Sequence, residues 1–203
     1  TGPVLVPKAM GRPGMMRWEG KKTTLKRQRR KVKRARRDKE GQVRLLVSML
    51  WTEGKKDKEK KAEFRGEALA LLQEQAKNDG EKTSSVILHM LASAEWAVGS
   101  KDAARLAYQQ ILSKHGESEE ASGARTWLTF LELQEGNNAD AATVVTAFTG
   151  DNLEHLQAYV LAWVQFRNRD YVNARKNISH AFKSWKGAYK KSVTYEFMQM
   201  WGL

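Results

Sequence analysis

The chain has 203 residues, enough for one helical domain and an attached arm. It has no cysteine, which excludes disulfide frameworks, cysteine-based zinc sites and thiol nucleophiles. The net charge is +13, but residues 1–40 carry 15 Lys/Arg against 3 Asp/Glu, residues 41–166 carry 13 against 18, and residues 167–203 carry 8 against 2. A mildly acidic body between a basic arm and a basic end points to an anionic partner for the arm.

Residues 1–22 hold all three prolines and no apolar periodicity, so they read as an extended segment. The chain begins at Thr1 rather than Met, which leaves room for a lost upstream targeting segment. Next comes LKRQRRKVKRARR (25–37), with nine cations in thirteen positions: Lys26, Arg27, Arg29, Arg30, Lys31, Lys33, Arg34, Arg36 and Arg37. Its residues are good helix formers, yet like charges three and four apart repel and there is almost no apolar face to bury. The segment is expected to gain helix only against phosphates or carboxylates. Three readings stay open for it: nucleic-acid backbone, an acidic protein or anionic lipid surface, and a solvated tail. Only Trp18 supplies a nearby aromatic, so a stacking platform for single strands is not expected.

After Gly41 the texture changes. VRLLVSMLW (43–51) is apolar and of helix length, and the lysine-rich GKKDKEKK (54–61) follows as a turn. Phe64, Ala68, Leu71 and Leu72 recur at helical spacing until NDG (78–80) stops the helix. Ser84 or Ser85 caps the next helix, with Ile87, Leu91, Ala94 and Val98 on one face. From here a unit repeats. Leu91, Gly99 and Ala104 recur as Leu128, Gly136 and Ala141, then as Leu161, Arg169 and Ala174, always with offsets of 8 and 13. The leucine locks a first helix, the turn favours glycine, and the alanine lets a second helix approach closely. Tyr108, Val145 and Ile178, four residues past the alanines, fill the gap between units. The apolar runs are too short to span a bilayer, which needs about 20 residues.

This pattern, in SKDAARLAYQQIL and RDYVNARKNISHAF above all, resembles the tetratricopeptide repeat over residues 84–186, with 43–78 as a degenerate further pair. It departs from the family in lacking the closing proline, in Thr129 after the second leucine, and in Arg169 at the usual glycine. The resemblance implies an all-α fold. It would be a short solenoid of eight to ten helices in antiparallel pairs over residues 41–203, behind the arm (1–40), with 188–201 as a C-terminal cap. It also implies a concave groove lined by the first helix of each unit. Residue by residue these positions are His89, Ser93 and Trp96; Thr126, Phe130 and Leu133; Tyr159, Trp163, Phe166 and Arg167. Aromatics beside an arginine suit a peptide-binding groove. The stretch 111–137 is similar to repeats of bacterial cell-envelope proteins, which implies a place in an envelope assembly or the periplasm.

No catalytic pattern stands out. The histidines (His89, His115, His155, His180) lack metal-ligand spacing, GRPG (11–14) does not lie between a strand and a helix, and there is no GxSxG. Glu117, Glu119 and Glu120 suit a helix N-terminus electrostatically. The expectation is a non-enzymatic scaffold without cofactor or metal, holding a protein partner with its repeats. The alternative is an RNA-binding component of a ribonucleoprotein.

Overall fold

Asp38 starts the first helix by accepting a hydrogen bond from the Gly41 N–H at 2.8 Å, one of the four N–H groups that a helix start leaves unpaired. The computed structural model describes residues 38–57, 59–148 and 153–184, so the basic segment 25–37 and the expected cap 188–201 lie outside the described residues. Within them α1 runs Lys39–Lys56 and α2 Lys61–Asp79. Gly80, at φ +54°, ends α2 and opens a short 3-10 turn, Gly80–Lys82. The Thr83 hydroxyl seals that turn, donating to the Gly80 carbonyl at 2.6 Å. Then come α3 (Ser85–Val98), α4 (Lys101–Lys114), α5 (Glu119–Glu135), α6 (Asn138–Val145), α7 (His155–Arg167) and α8 (Tyr171–Ser184). The described residues form these eight α-helices and no strand.

They divide into two compact units, with the boundary after Ala121 in the first turn of α5. In the first unit α1 packs on α2, α2 on α3 and α3 on α4. Val47 and Trp51 of α1, Ala68 and Leu72 of α2, and Ile87, Met90, Ala94 and Ala97 of α3 form one buried cluster. Each large apolar member contributes about 1.5–3 kcal/mol by leaving water. The Arg65 guanidinium lies 5.1 Å from the centre of the Trp51 ring, a cation–π contact at the rim of that cluster. In the second unit α7 packs on α8 and on α6. Tyr159, Ala162 and Trp163 of α7 and Ala174, Ile178 and Ala181 of α8 are buried.

The repeated sequence unit has a repeated backbone. Gly99, Gly136 and Arg169 all adopt left-handed φ angles, +100°, +83° and +64°. At each turn the next residue's N–H reaches the carbonyl five positions back at 2.9 Å: Ser100 to Glu95, Asn137 to Glu132, Asp170 to Gln165. The left-handed residue's own N–H bonds three back, to Trp96, Leu133 and Phe166. This paired closure satisfies carbonyls that a helix end otherwise leaves open. The following helix opens in the same way each time, the N–H groups of Ala104, Ala141 and Ala174 bonding to Ser100, Asn137 and Asp170. All three alanines are fully buried, and so are Tyr108 and Ile178, with Val145 nearly so. Leu128 is buried, whereas Leu91 and Leu161 are only half-buried, so the leucine lock is complete in the second unit of the repeat alone.

Candidate functional site

Helices α3, α5 and α7 carry the row of residues that the repeat pattern assigns to a groove. Most of that row is buried. His89, Trp96, Phe130, Tyr159 and Trp163 are buried, together with Ser93, Thr126 and Leu133. Only Phe166 and Arg167, in the last turn of α7, are half-exposed. The physical reason lies in the helices themselves. Ten of the fourteen residues of α3 are buried, from Ile87 to Ala97, and they fall on every side of it. Glu95 is its sole formal charge. A helix that is apolar all round is surrounded, so it has no face left to line a groove.

Burial of so many polar groups forces them to satisfy one another. Gln73 of α2 donates to the Glu95 carboxylate at 2.7 Å, and Ser85 of α3 donates to Glu120 of α5 at 2.7 Å. Ser93 and Tyr108 share a long hydrogen bond of 3.5 Å between α3 and α4. His89 stands edge-on to the Tyr108 ring, centroids 5.7 Å apart, and its Nε2 has no hydrogen-bond partner among the described residues. Burial therefore holds the His89 imidazole below its usual pKa, and the nearby Glu120 carboxylate opposes that shift in part. Burial pushes the Tyr108 phenol up, well beyond ordinary pH, and the Ser93 contact draws it back slightly. Both rings are thus neutral packing elements near pH 7. His115 closes the unit from α4, its Nε2 donating to the Thr83 carbonyl at 2.9 Å.

In the second unit Thr126 and Thr129 donate to carbonyls four residues back, of Ser122 and Arg125, which lets a hydroxyl sit inside a helix without an external partner. Asn137 in the turn donates to Glu132 at 2.6 Å. Gln157 links helices, donating to Ser122 at 2.7 Å while its carbonyl accepts from the Glu154 N–H at the start of α7. Trp163, Phe166 and Tyr171 form an edge-to-face chain with centroids 5.8 and 5.5 Å apart, leading from the core to the surface. Arg167 donates to Asn138 of α6 at 2.8 Å, and partial burial lowers its pKa. Its guanidinium belongs to the packing of α6 on α7 as well as to the surface.

Among the described residues no group of three His, Asp or Glu side chains is placed to hold a metal ion, and no helix is long and apolar enough to cross a membrane. Sequence reasoning missed the apolar side chains left outside: Leu106 on α4, and Tyr171 with Val172 at the start of α8, Val172 being 81 % exposed. The nine cations from Lys26 to Arg37 lie outside the described residues. Comparison with protein families, with curated proteins and with solved structures finds no match.

Proposed function

We propose that the chain is a non-enzymatic scaffold of tetratricopeptide-like helical repeats whose basic arm docks on an anionic partner. The observation that carries this reading is the threefold recurrence of helix, left-handed turn and buried alanine. Such units bury little alone and a continuous core when stacked, and the surface of a stack serves for binding. The buried polar groups support it too, since they act as packing and not as reagents. With His89, Trp96, Phe130, Tyr159 and Trp163 inside, the partner surface in this proposal is formed by Phe166, Arg167 and the outer helix faces. In this proposal the assembly belongs to a bacterial cell envelope, a reading supported by the resemblance of residues 111–137 to envelope repeats.

A second reading rests on one feature, the nine cations in residues 25–37. If they neutralise RNA phosphates, the logarithm of affinity for a single strand falls with the logarithm of salt with a slope of about −6 for nine contacts. Titrating the full chain, and a variant with those nine residues changed to Gln, against a fluorescent oligouridylate at several salt concentrations tests it. A slope that steep, abolished in the variant, favours the ribonucleoprotein reading. A shallow slope shared by both proteins favours the scaffold.

A further inference from the structure

Helix α8 turns a face of one charge sign to solvent. Val172, Arg175, Lys176, Ser179 and Lys183 follow one another at three, four, seven and eleven residues from the first, which a helix of 3.6 residues per turn brings to one side. All but Ser179 are exposed, while Ala174, Ile178 and Ala181 on the opposite side are buried. The helix carries no carboxylate, whereas α1, α2, α4 and α5 each carry both signs. The nearest acid in sequence, Asp170, is engaged locally. One of its carboxylate oxygens accepts from the Asn173 backbone N–H at 3.3 Å and the other from the Asn173 side-chain amide at 2.8 Å. Lys176 and Lys183 form no ion pair among the described residues.

The cationic face begins at an apolar end. Val172 is the most exposed large apolar side chain among the described residues. Tyr171 beside it is exposed by half, and Phe166 fixes its ring edge to face, centroids 5.5 Å apart. We propose that this face of α8 holds an acidic amphipathic helix of a partner protein. An apolar side chain of the partner covers Val172 and Tyr171. Its carboxylates, about one and three turns further on, meet Arg175, Lys176 and Lys183. Anchors spaced by whole turns are how a docked helix is recognised. The proposal deepens the scaffold reading and rests on it, since it names the chemistry of the protein partner.

Charge and apolar surface together select this occupant. Residues 41–166 carry 13 Lys/Arg against 18 Asp/Glu, so they repel an acidic partner, while residues 167–203, with 8 against 2, attract it. A phosphate backbone would satisfy the cations but leave Val172 in water, whereas an apolar side chain of a protein covers it. A lipid surface needs a broader apolar face than one valine and one tyrosine. The chain's own residues 188–201 carry Lys190 and Lys191 against Glu196, the wrong sign for this face.

Fluorescence anisotropy with a labelled helical peptide of glutamate, alanine and leucine tests the proposal. The nine cations of residues 25–37 would also take up an acidic peptide, so the protein used is the full chain with Gln at those nine positions. The peptide is expected to bind it. Lys176→Glu with Lys183→Glu weakens binding by roughly tenfold or more, since like charges then face each other. The same reversal at two exposed lysines of α2, Lys61→Glu with Lys77→Glu, changes net charge equally and leaves binding within about twofold. An unchanged thermal melt is the folding check. Two altered peptides leave the protein untouched: glutamine for glutamate, and serine for leucine, each binding more weakly. No binding of the original peptide overturns the proposal, and so does equal weakening by the α2 and α8 reversals. A serine peptide that binds in full also overturns it, as does oligouridylate that binds through Lys176 and Lys183 more tightly than the peptide. In affinity capture, a nuclease-resistant protein partner that the α8 reversal leaves unchanged overturns this proposal while the scaffold reading stands.

Discussion

Replacing Arg169 with glycine should stabilise the protein. Arg169 sits at φ +64°, where a side chain-bearing residue suffers a clash between its Cβ and the backbone worth roughly 1–2 kcal/mol. Glycine removes that clash but loses more backbone freedom on folding, about 0.5–1 kcal/mol. The difference leaves a net gain of about 0.5–1 kcal/mol. The mirror experiment uses the sister turns. Gly99 and Gly136 stand at φ +100° and +83°, and a Cβ added to either meets no atom within 4 Å. Gly99→Ala and Gly136→Ala therefore isolate the dihedral term, with an expected loss of about 1 kcal/mol each. Urea unfolding followed by far-UV circular dichroism reads all three as shifts of midpoint at constant slope. A destabilised Arg169→Gly, or neutral alanine variants, would refute the view that one turn geometry is used three times.

Three further outcomes follow from the packing. His89 is held below its usual pKa by burial, so the folded state binds fewer protons than the unfolded state. Its contribution is complete above about pH 6.5, the unfolded value, and is lost as pH falls through the lower folded value. The urea midpoint of the wild type should drop on acidification from neutral pH, and His89→Leu should show a smaller drop; equal drops would assign the effect elsewhere. Ala141→Leu places a large side chain where α6 makes its buried contact, with an expected cost of about 1–3 kcal/mol by urea titration. Trp163→Ala empties the inner end of the aromatic chain, with an expected loss of about 3–5 kcal/mol in the same assay.

The pattern at the turns was legible because backbone chemistry writes itself into single residues. Offsets of 8 and 13 from a leucine located three left-handed closures, even where arginine replaced glycine. Caps were equally readable: Ser84 accepts from the Ile87 N–H at 3.3 Å, and Asp79 is the last residue of α2, as the NDG stop predicts. The burial of most of the groove row was not legible, because periodicity reports which residues share a face and not whether that face is covered. The missing signal was charge. Helix α3 offers Glu95 alone and buries ten of its fourteen residues, and α7 has no formal charge before Arg167.

In the proposed scaffold the repeats hold a protein partner and the arm tethers the assembly. Affinity capture from the source organism, read by quantitative mass spectrometry, tests it most directly. It compares the full chain with the variant carrying Gln at the nine arm positions, each with and without nuclease. The same nuclease-resistant protein partner is expected on both chains. Capture that needs the nine cations and disappears with nuclease would contradict it and would make residues 25–37 a nucleic-acid-binding element.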